Sequence, residues 1–350
     1  VDSGTPDTKK GEILLILRED LEKRELTILS SLATMSAQSL GRQEKEEDCC
    51  YRTVFQRDRD RIVHSKSFRR LMHKTQVFLA PEGDHFRTRL THTLEVSQIA
   101  RTIARALALN EDLAEAIAMG HDLGHTPFGH NGEEFLNQRH PGGFRHNVQS
   151  MRVVDILEPR EDKFGLNLTF EVRDGILNHT GDQLPTTPEG MIVRHSDRIA
   201  YINHDIDDAL RSKVIRENDL PEDCIKVLGK NHRTRINMLV TDLVSNSDAT
   251  GEITMSEEMA FYMDKLRTFM FENVYHSEKV KKNEELEKIR MMIVSLYDYF
   301  ETHKDKLPAE QRKMIPAFGV NEVVKDHIAG MTDRYAVNLF KELYVPKNWR

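Results

Sequence analysis

The segment TRLTHTLEVSQIARTIARALAL, residues 88–109, decides the fold. Val96, Ile99, Ile103 and Leu107 recur at steps of three and four, which makes one face of a helix apolar. His92 falls on the same face and points at the interior that this helix covers. Asn110 is placed to cap a second helix from Glu111 to about His121, along which Leu113, Ile117 and His121 follow at steps of four. Upstream, residues 12–40 read as a helix with a break near Gly41, and Phe55 to Phe78 as an arginine-dense helix before a turn at Pro81 and Gly83. Downstream, GHTPFGHNG (residues 124–132) reads as a loop, because Pro127 and the glycines interrupt any regular element. Helices are expected over Asn147–Leu157, Glu171–Asn178 and about Met191–Arg211, with further helix beyond Pro221. Few segments alternate with period two. The expectation is an all-α bundle divided into an N-terminal helical segment and loop (1–55), a core (56–215) and additional C-terminal helices packed on it (216–350).

Composition agrees with this architecture. The 350 residues carry 50 Lys and Arg against 57 Asp and Glu, a formal net charge of -7, which disfavours a general nucleic-acid binder. With 39% hydrophobic, 31% charged and only 7% aromatic residues, a membrane protein, a disordered chain and an all-β sandwich are all disfavoured. Cys49, Cys50 and Cys224 are too few for a disulfide framework, so a reducing compartment is expected. No apolar run approaches the ~18 residues that span a bilayer, and Ile13–Leu17 is too short for a signal core. A cytoplasmic location follows as the expectation. The chain opens on Val1 rather than Met, which reads as a trimmed start, and residues 1 to about 10 carry no functional weight.

Twelve of the 16 histidines lie between His64 and His204. His92 and His121 both point inward, and Asp122 follows the second directly. A buried aspartate beside a buried histidine is costly unless it is paired or bound to metal. In DRIAYINHDIDDAL (residues 197–210), Asp197, Tyr201, Asp205 and Asp208 form one stripe, opposite Ile199, Ile202, Ile206 and Leu210. That stripe is either a solvated acidic face or a source of a further carboxylate ligand. His92, His121, Asp122 and Asp197 supply two imidazoles and two carboxylates, a set suited to a divalent metal such as Mn, Mg, Fe, Ni or Zn. Coordination positions stay open, as a catalytic site requires. Arg89, one turn before His92, is placed to fork onto phosphate oxygens.

The ordered set RLTHTLEV, HDLGHTPFGHNGE, FRHNVQS and DRIAYINHDIDDA resembles the HD-domain phosphohydrolases, specifically their dGTPase-like deoxynucleoside triphosphate triphosphohydrolase branch. The similarity extends over about residues 18–345, including FQRDRDRIVHSKSFRRLMHKTQVF and GMTDRYA. It implies an HD-domain bundle that cleaves a dNTP between the 5′ oxygen and the α-phosphorus, releasing deoxynucleoside and inorganic triphosphate. It also implies that His130 and Glu133 are the catalytic histidine and its acid, with His125 and His146 lining the same site. Arg198 and Tyr201 match positions that hold the phosphate tail, Asp205 one that meets the sugar 3′ hydroxyl, and Gln76 the other sugar-reading position. Family members commonly form homo-oligomers, some with a dNTP effector at subunit contacts. The arginines Arg57, Arg59, Arg61, Arg69 and Arg70 either serve such a contact or pair with Asp58, Asp60 and other acids. Two further functions fit a generic HD site: hydrolysis of nucleoside monophosphates or cyclic phosphodiesters, and a catalytically silent nucleotide- or nucleic-acid-binding regulator.

Overall fold

Side chains of Thr53, Ser65, Thr88, Asn110, Thr187, Asn231, Ser256 and Thr332 cap the helices that follow them. In the computed structural model, which describes residues 15–76, 87–160, 163–275 and 283–346, helix α1 spans Arg18–Ile28, α2 Val54–Val63 and α3 Lys66–Arg70. The central helices are α4 (Arg89–Ala106), α5 (Glu111–Gly120), α6 (Gly129–Arg139), α7 (His146–Arg152), α8 (Phe170–Asn178) and α9 (Pro188–Arg211). A π-helical turn, Val153–Leu157, extends α7 into a two-residue antiparallel hairpin, Pro159–Arg160 against Lys163–Phe164. The C-terminal part holds α10 (Glu222–Leu228), α11 (His232–Thr250), α12 (Glu257–Met270), α13 (Asn283–Thr302), the short α14 (Ala309–Arg312) and α15 (Ile315–Phe318), then α16 (Val320–Ala329) and α17 (Asp333–Tyr344). The fold is all-α.

The cap expected at Asn110 is present: its side chain accepts the amides of Asp112 and Leu113. Thr88 and Thr91 cap α4 reciprocally, and the α4 residues Val96, Ile99 and Ile103 are buried as their spacing predicts.

Three expectations are corrected. The N-terminal helix stops at Ile28 instead of running to residue 40, because one carboxylate of its own last turns and one far along the chain capture the following backbone. Glu25 accepts from the Ser36 amide and hydroxyl, and Glu189 accepts from the Thr34 amide and hydroxyl. The arginine-dense helix breaks at His64–Ser65, where the Ser65 hydroxyl caps α3 and Glu158 accepts the Lys66 and Ser67 amides. Its continuation past Gln76, with the turn at Pro81 and Gly83, lies outside the described residues. The segment read as a loop through Gly132 is helical from Gly129 onward. Phe128 takes a left-handed conformation (φ 63°) just before it, and Gly132 serves close packing instead of breaking the helix. A Cβ at Gly132 would lie 1.9 Å from the Pro127 carbonyl oxygen.

Two apolar cores result. The larger joins α2, α4, α5, α8 and α9 to α11 and α12 through side chains such as Ile62, Ile103, Ile117, Ile176, Ile199, Leu239 and Leu266. The second packs α6 against α13 and α16 through Phe135, Leu136, Ile293, Tyr297 and Val324. Where α5 meets α8, the helices approach through glycines. A Cβ on Gly120 would stand 2.4 Å from Ile176 Cδ1, and one on Gly175 2.5 Å from Ile117 Cδ1.

Asp333, the first residue of α17, connects the C-terminal helices to the turn before α6. It accepts from the Phe128 amide at 3.0 Å and from the Thr75 amide and hydroxyl at 3.1 and 2.7 Å. Asp333→Ala leaves these donors unpaired and is expected to cost about 2–4 kcal/mol, read as a shift in the denaturant midpoint. A loss below about 0.5 kcal/mol, the size of an ordinary surface substitution, would remove this role.

Candidate active site

Four elements converge on one point. His92 and Arg89 come from α4, His121 caps the end of α5, Asp122 follows it, and Asp197 lies midway along α9. His92 Nε2 is 3.0 Å from Asp197 Oδ1, and His121 Nε2 is 3.8 Å from the same oxygen. Asp122 Oδ1 is 3.6 Å from His121 Nε2, and its Oδ2 is 4.0 Å from His92 Nε2. Burial opposes ionisation of both aspartates, but the surrounding groups outweigh it. His121, Arg89, His125 and His92 hold the Asp122 carboxyl well below the usual range, while His92, His121 and His179 do the same for Asp197.

The donor set fits a divalent cation on a second observation. His121 is fully buried, and its Nδ1 donates to the Ala118 carbonyl at 2.7 Å. In the neutral ring its Nε2 is the lone pair, and no hydrogen-bond partner meets it among the described residues. An imidazole fixed in this way by a backbone carbonyl is prepared for a metal. The acidic stripe of α9 is not a solvated face, since Asp205 and Asp208 are buried. Burial and the neighbouring Asp208 push the Asp205 carboxyl well above the usual range.

A second group adjoins the first. His125 Nε2 is 3.5 Å from Asp122 Oδ1, and the His125 and His146 rings stack with centroids 4.1 Å apart. Glu133 accepts from the His146 amide at 2.8 Å and lies 3.0 Å from His146 Nδ1. His130 Nδ1 is 3.8 Å from Glu133 Oε2, with the ring largely exposed. Burial disfavours the Glu133 carboxylate, but His146, His130 and His125 hold it far below the usual range. Burial, with Arg89 and His146 nearby, pushes His125 well below the ordinary imidazole range, whereas Glu133 raises His146 against the effect of burial.

The remaining residues singled out in the sequence are distributed around this centre. Arg89 is 1% exposed and donates to Asp122 Oδ2 at 2.8 Å, and among the described residues its buried Nε and Nη2 meet no hydrogen-bond partner. Gln76 is buried, and its carbonyl oxygen lies beside Gly129 at the start of α6. Tyr201 is half-buried one turn beyond Asp197, and burial pushes its phenol up to about 12. Arg198, next to Asp197, is exposed.

Of the arginine-dense segment, Arg57 and Arg61 pair with Glu46, and Arg59 pairs with Asp60 and Glu115. Asp58 pairs instead with Arg42. These three arginines are held by intramolecular carboxylates, whereas Arg69 donates to the His64 carbonyl and Arg70 is exposed.

Residues 89–202 match the HD domain and residues 253–342 a phosphohydrolase-associated domain. Over 333 residues the chain is 56% identical to the deoxyguanosinetriphosphate triphosphohydrolase-like protein of Caldanaerobacter subterraneus, spanning 95% of this chain and 97% of that one. The namesake from Desulfatibacillum aliphaticivorans is 47% identical over 351 residues, 95% of this chain and 99% of its own. The chain belongs to the dGTPase-like family of HD-domain proteins.

In this dGTPase-like protein the HD match begins at Arg89 and takes in His92, His121, Asp122 and Asp197. HD domains are typically metal-dependent, and His92, His121 and Asp197 form a candidate metal-binding cluster here, with Asp122 grouped instead with His125 and His146. The phosphohydrolase-associated match takes in α16 and the residue Asp333 that secures the turn before α6.

Several residues that border this centre were not singled out in the sequence. Lys74 reads as a surface lysine but is buried, donating to the carbonyls of His125 and Ala329. Burial, with Arg70 and Arg89 nearby, pushes its ammonium down to about 7. His204 lies behind His92, with the two Nδ1 atoms 3.4 Å apart. His179 ends α8 as His121 ends α5, and that shared position after an apolar helix was the available signal. No helix among the described residues is long and apolar enough to cross a membrane.

Proposed function

We propose that this protein hydrolyses deoxynucleoside triphosphates, dGTP among them, to deoxynucleoside and inorganic triphosphate. The observation that carries this reading is Arg89. A buried guanidinium with two nitrogens that have no partner among the described residues, beside a carboxylate-imidazole centre, is matched to phosphate oxygens. His92, His121, Asp122 and Asp197 would hold the divalent metal, which when bound supplies Lewis-acid stabilisation of phosphoryl charge.

The chain's own residues do the rest. Arg89, with Arg198 and Tyr201 along α9, binds and orients the phosphate tail. Gln76 and Asp205 meet the sugar. Glu133, held as a carboxylate, faces His130 Nδ1, so the His130 Nε2 proton is directed outward to the departing 5′ oxygen. Water adds to the α-phosphorus and loses a proton to solvent, the bond from phosphorus to the 5′ oxygen breaks, and His130 protonates the leaving alkoxide and is itself reprotonated from solvent. His125 and His146 line the site and order Glu133. In the same reading residues 56–215 form the catalytic core with 216–350 supporting it, and the protein assembles as a homo-oligomer that takes a dNTP effector.

Product analysis tests the reaction. Individual and mixed dNTPs, incubated with metal-loaded protein, should give triphosphate and deoxynucleoside in equal amounts by ion-exchange chromatography. In 18O-labelled water the label should enter the triphosphate. Orthophosphate alone would exclude this reaction, and turnover confined to nucleoside monophosphates or cyclic phosphodiesters would support the generic HD hydrolase.

A further inference from the structure

Helix α4 carries His92 and Glu95 about one turn apart, and a buried ring from α9, His204, reaches both. His204 is 1% exposed, and its Nδ1 lies 3.4 Å from His92 Nδ1. Its Nε2 is 2.8 Å from Glu95 Oε2, off the line of a straight hydrogen bond. The His92 and His204 rings meet edge to face with centroids 5.5 Å apart, and His232 from α11 stacks over His204 at 6.0 Å. Arg87, just before α4, holds Glu95 at 3.3 Å and Asp208 at 3.5 Å. The proposed hydrolysis gives no role to His204, Glu95 or Arg87.

We propose that His204 and Glu95 are positioning residues that fix the proton of His92 on Nδ1, and so present its Nε2 lone pair to the cation of the proposed metal centre. A neutral imidazole has one N–H and one lone pair, and the partner of either nitrogen decides which is which. His92 Nε2 faces the centre, 3.0 Å from Asp197 Oδ1, and binds a cation only as a lone pair. Its proton then sits on Nδ1 and points at His204 Nδ1, which must be a lone pair. His204 in turn carries its proton on Nε2, beside the Glu95 carboxylate, so every donor meets an acceptor. In the reverse arrangement His204 Nδ1 donates to His92 Nδ1, and His92 Nε2 donates to Asp197. A bare His204 Nε2 lone pair would then stand 2.8 Å from a carboxylate oxygen, and Glu95 disfavours that state. Its negative charge acts at this distance even where the contact is not straight. Burial disfavours the Glu95 carboxylate, but His204 and Arg87 hold it below the usual range.

The fold produces this chain by helical spacing. Residues three apart share a face of α4, and α9 brings His204 against that face. Metal-binding histidines usually give their second N–H directly to a carboxylate or a backbone carbonyl, as His121 does to Ala118. For His92 a second imidazole relays that role to a carboxylate nearer the surface of α4, where Arg87 anchors it.

This inference rests on the proposed metal centre, and separate readings of tautomer and affinity keep the two claims apart. Full-length protein, labelled with 15N in its histidine rings and stripped with a chelator, is measured at about pH 8, above the ordinary imidazole range. Two-bond 1H–15N correlations report which ring nitrogen carries the proton, with His92→Gln and His204→Gln assigning the signals. His92 is expected to be protonated on Nδ1 and His204 on Nε2 before any metal is added. Glu95→Gln should mix these tautomers and weaken Mn(II) or Co(II) binding about 10–100-fold, the usual cost of losing such a supporting partner, read by competition with a chelating dye. Arg87→Gln removes the other partner of Glu95 but keeps the carboxylate, so its tautomers and affinity should stay close to wild type. An equal loss in both variants would make the cluster merely structural and overturn the proposal. A wild-type His92 protonated on Nε2, or on both nitrogens, would overturn it while the metal centre stands, provided the ion still binds. Unchanged tautomers and affinity in Glu95→Gln would overturn it as well. A wild type that binds neither ion would overturn the metal centre and, with it, the purpose assigned to the tautomer. Should Glu95→Gln not fold, the wild-type tautomers decide alone.

Discussion

Replacing His121 or Asp122 is expected to remove bound metal and turnover together. Their side chains are buried, and each faces its partners from within a few ångströms, so water has little room to take over a missing ligand. The several kcal/mol that a Lewis-acid metal contributes to phosphoryl transfer amounts to about 10^3-fold or more in rate, at ~1.4 kcal/mol per tenfold. Asp122→Asn is the cleaner of the two aspartate tests, because Asp122→Ala would strand Arg89. A buried guanidinium that loses its carboxylate costs about 3–5 kcal/mol, and an unfolded variant would say nothing about metal. His121→Ala deletes the donor to Ala118 and leaves a cavity, so its melting temperature must accompany the metal content. A folded His121→Ala protein that keeps its metal and its rate would exclude this histidine as a ligand.

The inward direction of His92 and His121 could be read from apolar spacing alone, since each sits on a stripe of Val, Ile and Leu that must face the core. The same logic left the acidic stripe of α9 undecided, because an amphipathic helix permits a solvated polar face. The structure buries both faces, which required α11 and α12 to pack on it from far along the chain. Local signals also failed where the cap was supplied from a distance. Phe128 receives its hydrogen-bond acceptor from Asp333, 205 residues away, so the start of α6 and the position of His130 within its first turn were not visible in the glycine pattern. Glu189 likewise redirects the backbone after α1 through a contact with Thr34 that no short window contains. Lys74 and His179 were passed over because a lone lysine and a lone histidine each read as unremarkable until their burial is known.

His130→Ala is expected to separate chemistry from metal binding. His130 touches none of the four proposed ligands of the first centre and is largely exposed, so its removal should leave the metal content and the melting temperature close to wild type. The rate should fall by about 10^2–10^4-fold, the usual contribution of a positioned general acid. The size of that loss depends on the leaving group, which supplies a sharper test than the rate itself. A departing 5′ alkoxide is strongly basic and needs a proton as its bond to phosphorus breaks, whereas a nitrophenolate leaves without one. With a nitrophenyl ester of triphosphate in place of the nucleotide, the gap between wild type and His130→Ala should therefore shrink to within a few-fold. Glu133→Gln should show the same leaving-group dependence in weaker form, since it acts through the orientation of His130 and His146. An equal loss for both substrates would assign His130 to binding rather than proton donation, and an undiminished rate on dNTPs would remove it from the mechanism.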